Sequence, residues 1–115
     1  MTVEIFHNPR CSKSRQTLEL LNDKGVAPEI TEYLKTPPDR EQLQKILSVL
    51  GLEPRQLMRT KEKEYKEQGL DDPSLSAEQL IDAMIATPKL IERPIVISNG
   101  KAAIGRPPES VLEII

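Results

Sequence analysis

The sequence predicts an α/β fold built on a mixed β-sheet, and a pattern near each end carries that prediction. Near the start, an apolar stretch over residues 3–6 precedes a helical pattern and a second strand pattern over residues 29–34. A strand–helix–strand start requires a parallel strand pair with a crossover helix. Near the end, two short apolar stretches flank Asn99-Gly100, a strong signal for an antiparallel hairpin. A sheet that holds both arrangements is mixed.

The first three elements lead from a strand through a helix to a second strand. Residues 3–6 are mostly apolar and partly β-branched, which suits a strand. Apolar positions within residues 17–21 suit a helix that closes near Gly25. Residues 29–34 alternate well enough to predict a half-buried strand.

A helical middle follows the break at Thr36-Pro37-Pro38. Asp39 opens a capping box, and Gly51 supplies a left-handed stop. Four apolar residues between them recur at the spacing of one helical face: Leu43, Ile46, Leu47 and Leu50. Pro54 opens a further short helix that delivers Arg59 at its end.

Two more patterns complete the middle. Residues 61–68 are nearly all charged, which is typical of a solvated helical face. Ser76 opens another capping box ahead of an apolar stripe that runs up to Thr87-Pro88. We interpret the apolar stripes of the middle as core.

The chain closes with the hairpin and a last helix. Gly105-Arg106 ends the second hairpin strand, and Pro107-Pro108 opens the closing helix. No repeat, linker or low-complexity segment is visible, so we predict one domain over residues 1–115. The layout is that of a thioredoxin-like three-layer sandwich.

Composition excludes several classes of protein. The chain has 115 residues, one cysteine, no tryptophan and a net charge of -2. A single cysteine excludes an internal disulfide framework and fits a reducing cytoplasm. The charge balance and the lack of stacking aromatics argue against nucleic acid. With no signal peptide and no apolar run near about 18 residues, we expect a cytoplasmic monomer away from membranes.

The chemistry of the sequence centres on Cys11, which sits where the first strand gives way to the first turn of a helix. Unpaired backbone N–H groups and the helix dipole converge there. Arg10, Lys13 and Arg15 add positive charge. All of these favour the thiolate, which is the nucleophilic form. The alternative, a small buried hydrophobe, would more naturally lie on an apolar stripe.

Three arginines sit at the ends of elements: Arg59, Arg93 and Arg106. Guanidinium groups bind oxyanions bidentately, and the last two flank the hairpin, whose ends we expect near the Cys11 loop. Each one, taken singly, also fits an ordinary surface arginine. The single histidine, His7, either tunes the thiolate or hydrogen-bonds to backbone. One His and one Cys make no recognisable metal cluster, so we expect no metal.

The cysteine begins a Cys-x-x-Ser motif, Cys11-Ser12-Lys13-Ser14, and the chain has no second thiol. A covalent intermediate on Cys11 therefore has no internal thiol to resolve it. If Cys11 does redox chemistry, we expect the second thiol to come from outside, from glutathione or a glutaredoxin.

With these residues assembled, the chain closely resembles the glutaredoxin-coupled arsenate reductase family over nearly its whole length. The resemblance is carried by five segments: His7-Asn8-Pro9-Arg10-Cys11-Ser12-Lys13-Ser14-Arg15, Tyr33-Leu34-Lys35-Thr36-Pro37-Pro38, Leu57-Met58-Arg59, Pro88-Lys89-Leu90-Ile91-Glu92-Arg93-Pro94-Ile95-Val96 and Gly105-Arg106-Pro107. It implies a thioredoxin-like fold with an inserted helical region.

The resemblance also implies roles for the site residues. Cys11 is the nucleophile that attacks arsenate, and His7 matches the residue that assists the thiolate. The family's three anion-binding arginines are matched by Arg59, Arg93 and Arg106. We place Ser14 and Arg15 with them at the oxyanion site.

The implied reaction needs no bound cofactor. Cys11 forms an adduct with arsenate, glutathione attacks the arsenic as co-substrate, and glutaredoxin resolves the mixed species with release of arsenite. The family also carries a cis peptide before the proline that matches Pro94. The chain stops at Ile115 and resembles the short chromosomal branch, without the C-terminal tail of the plasmid-borne detoxifying enzymes.

Two other functions fit parts of the sequence. A Spx-like transcription regulator that binds RNA polymerase shares the fold but usually shows Cys-x-x-Cys, against Ser14 here, and lacks a match to His7. A general monothiol, glutathione-dependent oxidoreductase fits Cys-x-x-Ser but leaves three arginines without a task. A cysteine phosphatase fits less well, because Cys11 and Arg15 are two residues closer than the usual Cys-x5-Arg loop.

Overall fold

The computed structural model describes residues 3–115. Its helices and strands, in chain order, are β1 Val3–Phe6, α1 Ser12–Asp23, β2 Glu29–Thr31, α2 Arg40–Leu50, α3 Lys63–Glu67, α4 Ala77–Ala86, β3 Ile95–Ser98 and β4 Lys101–Ile104. Within these residues there are also 3₁₀ helices at Pro54–Leu57, Pro88–Leu90 and Pro108–Glu113.

The four strands form one sheet in the order β2-β1-β3-β4. The β1 strand pairs parallel with β2 and antiparallel with β3, while β3 and β4 pair antiparallel. The predicted mixed sheet and the α/β fold are therefore confirmed. The two central strands are β1 and β3, and their side chains are mostly buried, as expected of strands with neighbours on both edges.

The predicted turn between β3 and β4 is confirmed in its backbone geometry. Asn99 has φ 53° and Gly100 has φ 73°. A two-residue hairpin turn of the favoured type needs positive φ at both central positions, which asparagine and glycine tolerate best. Ser98 and Lys101 are the last paired residues on either side of the turn.

Both capping boxes are also confirmed. The Asp39 side chain accepts a hydrogen bond from the backbone N–H of Gln42, and the Ser76 side chain accepts one from Gln79. Gly51 adopts φ 69° at the end of α2, so it ends the helix in the left-handed conformation that was predicted.

Two elements differ from the prediction. The second strand ends at Thr31 rather than at residue 34, because its partner β1 ends at Phe6 and the chain there turns into the cysteine loop. The closing segment is helical as predicted, with 3₁₀ geometry. The charged stretch forms only α3, and it is not wholly solvated, since Tyr65 is buried and its hydroxyl accepts a hydrogen bond from Arg55.

The chain divides into two compact units. The first runs up to Thr36 and resumes at Arg93, and it holds the whole sheet, α1 and the last 3₁₀ helix. Its core joins both central strands to α1 and the closing segment through Val3, Ile5, Leu21, Val96 and Val111. Fully burying one such side chain contributes about 1.5–3 kcal/mol.

The second unit, Pro37–Glu92, holds α2, α3, α4 and two 3₁₀ helices. Its fully buried side chains include Leu43, Leu57, Met84 and Leu90. The prediction that residues 1–115 act as one domain stays a prediction.

Two peptide bonds are cis, Arg93-Pro94 and Arg106-Pro107. The first was implied by the family resemblance and is confirmed. The second was not anticipated.

Gly105 lies where the end of β4 meets helix α1. A Cβ atom at this position would lie 2.5 Å from Thr17 Oγ1 and 2.7 Å from Pro94 Cγ. Both distances are shorter than real Cβ contacts, and Thr17 is held in place because its hydroxyl donates to the Lys13 carbonyl at 2.8 Å. This close approach requires glycine at position 105.

We expect Gly105→Ala to destabilise the fold by about 1–3 kcal/mol, which is the usual cost of overpacking. Urea unfolding of the variant and of the wild type measures this difference. In Thr17→Ala, which removes one of the two clashing side chains, the same glycine substitution should cost less. An unchanged unfolding midpoint in Gly105→Ala would contradict the packing argument.

Candidate active site

Cys11 is the residue that caps the N-terminus of α1. Its φ of -95° and ψ of 124° are extended, and its side chain makes no capping hydrogen bond. Its carbonyl already accepts the Arg15 N–H at 3.0 Å, and its own N–H donates to the Asn8 carbonyl at 3.0 Å. No acidic residue lies in the first turn of the helix. The sulfur therefore lies beside the positive end of a helix dipole that no carboxylate in the helix's own first turn offsets.

The loop that leads to Cys11 is held by hydrogen bonds to its own backbone. The Asn8 side-chain oxygen accepts the N–H of Arg10 at 3.0 Å. Arg15 Nη1 donates to the Pro9 carbonyl at 3.1 Å. The Arg15 guanidinium therefore fastens α1 to the loop, and its predicted role at the oxyanion site stays a prediction.

His7 and Ser14 form a buried pair beneath this loop. His7 Nδ1 and Ser14 Oγ share a hydrogen bond of 2.6 Å, and Ser14 Oγ also accepts the Asn8 N–H at 3.0 Å. Ser14 is fully buried. The Ser14 hydroxyl ties His7 and the loop backbone to the first turn of α1. The place predicted for Ser14 at the oxyanion site stays a prediction.

Burial lowers the pKa of His7 below its usual value of 6.5. The Arg15 charge also lowers it, while the Glu32 carboxylate acts in the opposite direction. Near neutral pH the imidazole is therefore uncharged, and it enters the site as a hydrogen-bonding group rather than as a cation.

Because this chain has a single histidine, its titration is directly observable by NMR. We expect the imidazole proton signals of the folded protein to give a pKa below 6.5. Glu32→Gln should lower the His7 pKa further, and Arg15→Gln should raise it, since the two charges act in opposite directions. A pKa above 6.5 in the wild type would contradict the burial of this side chain.

The same shift sets the sign of a pH effect on stability. A folded-state pKa below the unfolded one means that the unfolded chain binds the proton more readily. The contribution of His7 is therefore complete above about pH 6.5 and is lost as the pH falls through its folded-state value.

Arg106 reaches Cys11 across 95 positions of sequence. Its Nη2 donates to Cys11 Sγ at 3.6 Å, and its Nε donates to the Arg93 carbonyl at 2.8 Å. The end of the hairpin thus meets the cysteine loop, as its position in the predicted fold required. A guanidinium at this distance stabilises a thiolate, and the oxyanion-binding role predicted for Arg106 stays a prediction.

Arg93 belongs to the same unit and is buried, with an exposed fraction of 9%. Its carbonyl orients the Arg106 side chain. The structure thus shows a role for the Arg93 backbone. The anion-binding role predicted for the Arg93 guanidinium stays a prediction.

Arg59 belongs to the second unit, where it follows a short bridge between Met58 and Ile91. Its N–H donates to the Leu90 carbonyl at 2.7 Å. Its Nη1 forms an ion pair with Glu62 Oε1 at 2.7 Å, and its Nε lies 3.9 Å from Glu92 Oε1. Its predicted convergence with Cys11 stays a prediction.

The sequence interpretation did not identify Glu62 and Glu92 as the carboxylates beside Arg59. Glu62 had been assigned to a solvated face, although its position three residues after Arg59 is a spacing at which side chains of a turn meet.

Residues 3–115 contain no group of three or more His, Cys, Asp or Glu side chains placed to hold a metal ion. None of the helices over the same residues is long and apolar enough to cross a membrane.

Comparison with known proteins defines the class to which this fold and site belong. Residues 6–114 match the ArsC family. The chain belongs to that family. Its relatives include arsenate reductase of Neisseria meningitidis serogroup B, which is 51% identical over 114 residues that cover 98% of this chain and 97% of the relative. Protein YfgD of Escherichia coli K12, described as uncharacterised, is 60% identical over 98% of this chain and 96% of its own length.

The structural comparison agrees. A solved structure of arsenate reductase from Vibrio cholerae superposes with a TM-score of 0.98 at 55% identity, covering 100% of this chain and 98% of that one. The predicted family and fold are confirmed.

Proposed function

We propose that this protein is an arsenate reductase that uses Cys11 as its nucleophile, with glutathione and a glutaredoxin as external thiol donors. The observation that carries the proposal is the hydrogen bond from Arg106 Nη2 to Cys11 Sγ, in a chain of the ArsC family. We place the reaction in the cytoplasm, whose reducing conditions suit a lone free thiol, and expect the protein to act as a monomer.

In the first step the Cys11 thiolate attacks the arsenic of arsenate. A sulfur–arsenic bond forms, and one arsenate oxygen takes up protons and leaves as water. No electrons are transferred to arsenic in this step. Arg106 stabilises the thiolate before the attack and the negative oxygens during it. Arg59 and Arg93 supply the remaining positive charge of the oxyanion site, in line with their match to the family's segments.

The electrons come from two external thiols. Glutathione attacks the arsenic and forms a second sulfur–arsenic bond, while another arsenic oxygen leaves as water. A glutaredoxin thiolate then attacks the glutathione sulfur and forms a mixed disulfide, and the electron pair of the broken sulfur–arsenic bond stays on arsenic, so that arsenic gains two electrons and two thiols are oxidised. Water hydrolyses the bond between arsenic and the Cys11 sulfur, which releases arsenite and regenerates the Cys11 thiolate. Because Cys11 is the chain's one cysteine, no disulfide can form within the chain.

His7 and Ser14 support the nucleophile through hydrogen bonds and add no charge to the site. A neutral His7 held by the Ser14 hydroxyl keeps the loop from Asn8 to Cys11 in one conformation. A fixed loop positions sulfur and backbone N–H groups for the same oxyanion.

The test is arsenate-dependent NADPH oxidation with glutathione, glutaredoxin and glutathione reductase. We expect turnover in the complete mixture and its loss when glutathione or glutaredoxin is left out. A parallel reaction with a small glutathione mixed disulfide in place of arsenate separates the general monothiol oxidoreductase. Turnover of that disulfide with none of arsenate would overturn the proposal.

A further inference from the structure

Arg59 begins a chain of alternating charges in the second unit. Its Nη1 contacts Glu62 Oε1 at 2.7 Å, Glu62 Oε2 lies 3.7 Å from Lys89 Nζ, and Lys89 Nζ contacts Glu64 Oε2 at 2.8 Å. Arg59, Glu62 and Glu64 are partly buried, with exposed side-chain fractions of 28%, 23% and 19%. These four side chains are called the ion-pair chain below.

The backbone on both sides of this contact is fixed. Arg59 N–H donates to the Leu90 carbonyl at 2.7 Å, and Glu92 N–H donates to the Leu57 carbonyl at 2.8 Å. The Glu62 N–H in turn donates to the Arg59 carbonyl at 3.3 Å, which makes a turn between the two paired residues. Since both ends of the ion pair are anchored, the long Arg59 side chain has little freedom to leave it.

We propose that Glu62 is the positioning residue for Arg59 in oxyanion binding. Glu62 occupies Nη1 and fixes the plane of the guanidinium, and Nη2 is left to receive an arsenate oxygen. The inference rests on the proposed function, which assigns Arg59 to the oxyanion site. A guanidinium has five donors in a rigid fork, so one carboxylate holds it and still leaves donors for a ligand.

The position of Lys89 explains how the Glu62 carboxylate can lie beside an arginine that binds an anion. A bare Glu62 would repel the incoming oxyanion and offset the charge of Arg59. Lys89 lies on the other oxygen of Glu62 and balances that charge. Glu64 holds Lys89 in place, and this contact lowers the pKa of Glu64 and raises that of Lys89. The ion-pair chain thus contains two cations and two carboxylates, and Arg59 is the cation at its end.

Exposed ion pairs often contribute nothing measurable to stability, so a purely structural role must be separated from a positioning role. The matched control is Glu67, which lies exposed in the same helix α3 and is not part of the ion-pair chain. The variants are Glu62→Ala, Glu62→Gln and Glu67→Gln, each made in the wild type, and Glu62→Ala made also in Arg59→Ala.

We expect Glu62→Ala to lower kcat/KM for arsenate by about 10- to 100-fold, the effect of a misplaced binding group. Glu62→Gln keeps an acceptor for Nη1 and should lose less, and Glu67→Gln should stay close to the wild type. In Arg59→Ala the Glu62 substitution should have no further effect, because Glu62 acts through Arg59. An equal loss in both backgrounds, or a gain in the wild type, would overturn the proposal.

A second readout does not depend on turnover. The Arg59 Nε–Hε signal in NMR spectra should be sharp in the wild type and in Glu67→Gln, and broadened in Glu62→Ala. If the wild type shows no arsenate turnover, the proposed function fails, while this signal still decides whether Glu62 fixes Arg59. A signal that is equally sharp in Glu62→Ala would overturn the positioning role by itself.

Discussion

Replacing Cys11 by serine abolishes arsenate reduction and leaves the fold intact. A serine hydroxyl is not ionised near neutral pH, so it is a far weaker nucleophile than a thiolate beside Arg106 and a helix N-terminus. The fold is preserved because the two side chains have similar size. Serine is also a preferred N-cap residue, whereas the Cys11 side chain makes no capping hydrogen bond.

The coupled assay measures the loss, and circular dichroism with urea unfolding measures the fold. Ser12→Ala is the matched control, since Ser12 is exposed in the first turn of the same helix and should leave turnover unchanged. Appreciable turnover by Cys11→Ser would contradict the assignment of the nucleophile.

Arg106→Ala has the second-largest expected effect. Its guanidinium is the group seen to donate to Cys11 Sγ, and removing one such electrostatic donor costs about 10²- to 10³-fold in kcat, or about 2.7–4 kcal/mol. Arg106→Lys keeps the charge but loses the fork that bonds Cys11 and the Arg93 carbonyl together. It should therefore restore only part of the activity.

The same variants have a readout before arsenate is added. Alkylation of Cys11 at neutral pH should be slower in Arg106→Ala than in the wild type, because the guanidinium that donates to the sulfur is removed. Lys101→Ala is the control, since it removes an exposed cation from the hairpin that precedes Arg106. Unchanged turnover and unchanged alkylation in Arg106→Ala would remove this residue from the site.

The fold was largely predictable because its signals are local. The turn at Asn99-Gly100 and the caps at Asp39 and Ser76 each depend on a few neighbouring residues whose backbone preferences are strong. The short second strand was harder to predict. Its length depends on where its partner β1 ends, and no pattern within residues 29–34 records that.

The candidate site was predictable in its residue types and less so in its contacts. Cys11 at the start of a helix follows from local pattern, and Arg106 followed from the hairpin's place in the fold. The inward turn of Ser14 toward His7 depends on the rotation of α1 against the sheet. The pairing of Arg59 with Glu62 depends on a turn inside a stretch whose charges looked solvated.

The competing functions make different demands on these residues. A general monothiol oxidoreductase also benefits from Arg106 beside the Cys11 sulfur, because its nucleophile is a thiolate as well. Neither it nor a polymerase-binding regulator, however, requires three arginines that bind an oxyanion. Membership of the ArsC family and relatives named as arsenate reductases favour the reductase.

The most direct test of the account is to separate and quantify arsenate and arsenite after incubation with this protein, glutathione, glutaredoxin, glutathione reductase and NADPH. The account predicts one arsenite formed for each NADPH consumed, and none with Cys11→Ser. If no arsenite forms while Cys11 still alkylates rapidly at neutral pH, the thiolate has another substrate and the proposed function is wrong.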